Sequence, residues 1–122
     1  MNTLLLVFLG GGLGSLCRFS LSSWLDGSPG AFPWATFLAN ILACLVLGGL
    51  LGMEAKTGLK STHKLLFATG FCGGFSTFST FSAEGLALMQ SGQMVTALMY
   101  VGCSIMTGLI AVYLGYQVLY SI

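Results

Sequence analysis

The chain has 122 residues, of which 56% are hydrophobic and only 6% charged, and its formal net charge is +1. A soluble domain typically carries about 25% charged residues on its water-facing surface, so this composition excludes one. The near-neutral balance likewise excludes the broad basic footprint of a nucleic-acid binder. What remains is an all-α integral membrane protein, a single transmembrane domain over residues 1–122 with membrane lipid as its surroundings.

A membrane helix needs about 20 mostly apolar residues. The first such segment is Thr3–Leu25, which lacks a basic leading stretch and runs into Arg18 without a small-residue cleavage site. It therefore reads as a retained span and not as a removed signal peptide. Its run Gly10-Gly11-Gly12-Leu13-Gly14 is no phosphate loop, because neither a strand precedes it nor a Lys-Ser/Thr pair follows. Arg18, near the end of the span, is placed to snorkel to the headgroups and reads as a vestibule or structural residue. Asp26-Gly27-Ser28-Pro29-Gly30 forms a turn-rich connection.

The second span is Pro33–Met53, with Thr36 and Asn40 one turn apart inside it. An amide at that depth serves either an interhelical hydrogen bond or a polar pathway. A polar linker, Glu54 to His63, carries Lys56 and Lys60, with Lys64 at its edge. These lysines lie on the side of the termini, which weakly favours cytoplasmic termini; the bias is small enough to be compatible with insertion both ways.

The third span, Lys64–Met89, contains Gly73-Gly74-Phe75-Ser76-Thr77-Phe78-Ser79-Thr80-Phe81-Ser82. Glycine costs about 1 kcal/mol against alanine in a helix, and Ser and Thr compete for backbone hydrogen bonds. The pattern predicts a helix broken mid-membrane, tolerated only where it is buried in protein or lines a wet cavity. Glu84 follows the break, placed to face a vestibule or to cap a neighbouring helix. After a four-residue turn, the fourth span Met94–Tyr120 carries Tyr100, Ser104 and Thr107 on nearly one face, a polar track or a set of interhelical donors.

Gly10–Gly14, Gly48–Gly52 and Gly70–Gly74 have the GxxxG spacing of closely packed helices. Cys17, Cys44, Cys72 and Cys103 fall one per span without metal-ligand spacing. No Ser-His-Asp grouping or facing carboxylate pair supports enzyme chemistry. Four thin helices enclose little interior, so a water-lined pathway is expected between copies. The spans carry no central Asp or Glu ring of the kind that selects cations. Phe78 and Phe81, at i and i+3, fit ordinary apolar packing or ring edges turned to an anion. A proton-coupled drug exporter of similar size needs a glutamate in its first span, where this chain has Arg18. A lysis protein needs only apolar helices and gives no reason for the third-span pattern.

Residues 70–82, Gly-Phe-Cys-Gly-Gly-Phe-Ser-Thr-Phe-Ser-Thr-Phe-Ser, closely resemble the third-helix signature of the bacterial fluoride channels, the CrcB/Fluc family. Gly10–Gly14 with Arg18-Phe19 resembles the family's first-helix pattern, and Thr36-Phe37-Leu38-Ala39-Asn40 its second. The resemblance implies an antiparallel, dual-topology homodimer in the bacterial inner membrane that passively exports fluoride through two pores. It implies that Phe78 and Phe81 form an aromatic fluoride box and that Asn40 is a pore-lining donor. Tyr100 and Ser104 match a polar track, Glu84 an acidic residue near the pore mouth, and Thr36 and Thr80 further polar positions. Gly73 and Ser76 match positions whose backbone carbonyls hold a central structural sodium ion. The sequence departs from the family pattern at Ala35, at Ser76 (commonly threonine) and at Gly108, where the track often continues with serine.

Overall fold

The computed structural model describes residues 2–25, 27 and 30–122. The first predicted turn, residues 26–30, falls largely outside them at Asp26, Ser28 and Pro29. The described residues form helices joined by short connections, without strands. Helix α1 is Thr3–Leu25 and α2 is Trp34–Thr57. A third helical run, α3, covers residues 61–75 and winds through a wider π-helical stretch at Lys64–Cys72. Helix α4 is Phe78–Gln90 and α5 is Met94–Ser121. Three of these, α1, α2 and α5, are long and apolar enough to cross a membrane.

The protein is a multi-pass membrane protein turned outside in relative to a soluble one. Leu4, Phe8, Phe19, Val95, Leu109 and Ile122 are among its many exposed large apolar side chains. Buried positions are mostly small, with Ala39, Ala43, Ala97 and Ala111 lying inside. Lipid is as apolar as leucine, so helices associate through close packing and polar contacts, not through hydrophobic exclusion.

Two helix pairs show how that packing is reached. A Cβ on Gly10 or Gly14 of α1 would collide with the backbone of α3 at Leu66 or Phe71, and one on Gly74 with Gly11. A Cβ on Gly48 or Gly52 of α2 would meet the carbonyls of Val112 or Tyr116 in α5, and one on Gly115 that of Leu45. The three GxxxG pairs are thus the seams of the bundle, backbone on backbone. Helix α4 lies against α5, connected by the short turn after Gln90.

The second helix extends a turn beyond the predicted Met53, through Glu54 and Lys56 to Thr57, because a helix end in water tolerates charge. The third predicted span is interrupted inside the stretch 73–82. Gly73 and Gly74 are themselves helical, and the helix ends at Phe75. Ser76 and Thr77 are extended, with ψ of 156° and 124°, before α4 begins at Phe78. Gly74 serves close approach to α1, so the glycine pair marks a seam beside the break.

Candidate functional site

The break is held by side chains from both neighbouring helices. Asn40 of α2 clamps the Thr77 peptide: Thr77 N–H donates to Asn40 Oδ1 at 2.9 Å, and Asn40 Nδ2 donates to the Thr77 carbonyl at 3.3 Å. From α1, Arg18 Nε donates to the Gly74 carbonyl at 3.3 Å, placing a cation at the electronegative end of α3. Ser76 folds back on the preceding turn, its N–H and hydroxyl both donating to the Cys72 carbonyl, at 2.9 and 2.7 Å. Thr77 then caps α4, its hydroxyl accepting from the Thr80 N–H at 3.2 Å. That cap satisfies a donor that every helix N-terminus otherwise leaves unpaired.

Asn40→Ala removes both arms of the clamp and leaves the Thr77 N–H without its partner. Such a loss costs about 1–3 kcal/mol. The variant is expected to melt at a clearly lower temperature in detergent than the parent, and an unchanged melting temperature would refute the clamp.

Two clefts flank α4. The inner one, of ≈ 280 Å³, is lined by Asn40, Ser76, Thr77, Phe78, Phe81 and Ser104, with Cys44, Ile105 and Gly108 completing its wall. Phe78 and Phe81 stand with ring centroids 5.9 Å apart and planes at 39°. The Phe78 side is open: that residue is 80% exposed. The outer cleft, of ≈ 590 Å³, holds Thr36, Thr80 and Glu84 beside Phe32 and Trp34. There the buried Thr36 hydroxyl donates to Glu84 Oε1 at 2.5 Å.

Between the clefts stands Tyr100, fully buried and packed on Phe81 with centroids 5.0 Å apart. The Tyr100 hydroxyl and, one turn on, the Ser104 hydroxyl are buried without a hydrogen-bond partner among the described residues. A buried unpaired polar group costs about 1–3 kcal/mol, and a native fold that keeps two such groups side by side invites a functional explanation.

The structure therefore gathers Asn40, Ser76, Phe78, Phe81 and Ser104 at one cleft and Thr36, Thr80 and Glu84 at the other. Arg18 and Gly73 line neither cleft. Thr107 does not extend the polar face, because its hydroxyl donates to the Cys103 carbonyl of its own helix. Sequence reasoning missed Thr77, the pivot of the break, although a hydroxyl three residues before Thr80 at a helix start is a capping signal. It also missed Cys44 and Phe32, which carry no signal apart from the tertiary arrangement.

A broken helix of this kind presents two opposite ends at one place. The carbonyl end of α3 is electronegative and the amide end of α4 electropositive. The first suits a cation and the second an anion, while the hydroxyls and the Asn40 amide add neutral donors. Among the described residues no group of His, Cys, Asp and Glu could hold a metal ion.

Residues 5–116 match the family model described as CrcB-like protein, Camphor Resistance (CrcB). The chain belongs to the CrcB family. Curated relatives in this family carry the name fluoride-specific ion channel FluC. One from Thermus thermophilus is 45% identical over 93% of this chain and 90% of its own length. That from Phocaeicola vulgatus is 40% identical over 94% of this chain and 96% of its own. A third, from Nitratidesulfovibrio vulgaris, is 39% identical over 94% of each. CrcB relatives are named as ion channels, not enzymes, and the apolar spans agree with a membrane channel family.

Proposed function

We propose that this chain is one subunit of a fluoride channel in the bacterial inner membrane, assembled from two antiparallel copies that enclose two fluoride pathways around a central sodium ion. The observation that carries this reading is where the polar cleft opens. Ser76, Thr77 and Asn40 line a groove beside the 80% exposed Phe78, on a protein that exposes many large apolar side chains. Polar side chains and irregular backbone at membrane depth lie against protein or a wet cavity and not against lipid, which supports a second copy covering the groove. An even number of spans, with residues 61–75 and α4 together counted as a broken third span, leaves both termini on one face. The small charge bias of the linker lysines permits both orientations.

Fluoride is small and strongly hydrated, so a selective route must replace its water shell with donors while leaving the ion free to move on. Asn40 has one amide N–H beyond the one bonded to Thr77, since its NH2 carries two donors. The Ser104 and Tyr100 hydroxyls, with Thr80 in the outer cleft, supply more, while Thr36, its hydroxyl donating to Glu84, lines the same outer cleft. Phe78 and Phe81 offer ring edges, which carry positive potential. Glu84, bonded to Thr36, would set the electrostatics of the outer mouth. Flow would be passive, from the fluoride-loaded cytoplasm outward.

The backbone at the break fits a hard cation. The Gly73 and Ser76 carbonyls lie at the C-terminal end of α3, and each could bind sodium through oxygen. When bound, sodium would supply fixed positive potential beside the pathways. Arg18 on the adjoining Gly74 carbonyl restrains the same helix end.

The test is fluoride efflux from liposomes containing the purified protein, with chloride efflux as control. Rapid fluoride loss with chloride retained is expected; folded protein that passes no fluoride in sodium buffer would remove the reading. A smaller prediction concerns Gly108, where a Cβ would sit 3.6 Å from Cys44 Sγ, an ordinary contact. Gly108→Ser is therefore expected to fold and to conduct fluoride at least as fast as the parent. Slower efflux would mean that the polar track gains nothing from a hydroxyl there.

A further inference from the structure

Phe32 was not singled out by its sequence, yet it lines the outer cleft and packs against the buried Tyr100. Its ring lies 5.3 Å from Tyr100 with planes at 82°, an edge-on contact. Trp34 lies at 4.6 Å and holds it at the start of α2, and Phe37 touches it at 5.4 Å. Tyr100 in turn backs Phe81. Phe32 lines the outer cleft, Phe81 lines the inner one, and Tyr100 lines neither. The three rings form a continuous partition, with the buried phenol as its middle member.

The Tyr100 ring is held by aromatic packing on both sides, and edge-on aromatic contact is directional where aliphatic contact is not. We propose that Phe32 is a positioning residue of the ion pathway: it holds the Tyr100 ring against Phe81 and so sets the partition between the outer and inner clefts. This rests on the fluoride-channel reading and extends it to a residue that touches no ion. Without the Phe32 edge, the Tyr100 ring is free to tilt toward the outer cleft. Phe81 then loses the surface that sets its angle to Phe78.

The experiment is fluoride efflux from liposomes by the full-length protein, run as a double-mutant cycle. Phe32→Leu keeps the side chain apolar and is expected to slow efflux on the order of three- to tenfold, the range an edge-on aromatic contact supports. In a Tyr100→Leu background the same change should have almost no further effect, because its target is gone. Phe37→Leu removes an aromatic ring of equal size from the same cluster. It has no ring contact with Tyr100, and its efflux should stay within about twofold of the parent.

Phe32→Tyr retains the edge and should restore most of the rate. Equal losses in Phe32→Leu and Phe37→Leu would reduce Phe32 to general packing and overturn the proposal, even if Tyr100→Leu fails to fold. Additive losses in the cycle would overturn it as well. Absence of fluoride efflux from the parent protein would instead sink the channel reading, and this inference with it.

Discussion

Replacing both Phe78 and Phe81 by isoleucine is expected to abolish fluoride efflux while leaving a folded, assembled protein. Isoleucine keeps the pair apolar and bulky but removes the ring edges with their positive potential. Phe78 is 80% exposed in the single chain, so its ring contributes little to the fold of that chain. Phe81 packs on Tyr100, and an aliphatic side chain can fill much of that space. The chemistry at the inner cleft therefore changes more than the packing does. A fall of at least about a hundredfold is expected, equivalent to roughly 2.7 kcal/mol. Efflux should be measured on protein whose elution on a sizing column matches that of the parent. Parent-like fluoride flux in the double variant would eliminate the aromatic role and leave the hydroxyls and Asn40 as the whole of the recognition.

The second large effect concerns folding. Gly14→Val is expected to prevent recovery of folded protein. A Cβ at this position meets the Phe71 carbonyl and lies 2.7 Å from the Phe75 backbone nitrogen, so no rotamer change relieves it. Backbone must move against backbone, and overpacking of even modest size costs about 1–3 kcal/mol. Valine adds two methyl groups at the seam that also positions Phe75, Ser76 and the break. Gly12→Ala is the control, since a Cβ there has nothing within 4 Å. It should express and melt like the parent. The pair would be read by yield and by thermal unfolding in detergent. A Gly14→Val protein as stable as Gly12→Ala would mean that α1 and α3 do not pack in the described register.

Only part of the arrangement was legible in the chain. Helix α1 ends where hydropathy and the turn residues place its ends, and α5 extends one residue beyond its predicted limit. The signal is strong there because lipid demands uninterrupted apolar helix. The Glu54–Thr57 turn was harder to read, since charged residues form helix or linker equally well outside the hydrocarbon. The helix was expected to be interrupted somewhere within residues 73–82, and the interruption lies at Ser76–Thr77. Local propensity located the weak stretch; the Asn40 clamp and the Thr77 cap determined which peptide left the helix.

Composition and hydropathy by themselves determined that this is a helical membrane protein, because so few charges cannot surface a soluble fold and 20-residue apolar runs have few other uses. GxxxG spacing was enough to expect close helix seams, since a missing Cβ is a property of the residue and not of its context. Tertiary structure alone decided which seams pair, α1 with α3 and α2 with α5, because several glycine faces could have met. It alone brought Asn40 to Thr77 across 37 residues of sequence and Phe32 to Tyr100 across the clefts. Such contacts depend on the relative rotation and register of packed helices, which periodicity within one helix leaves undetermined.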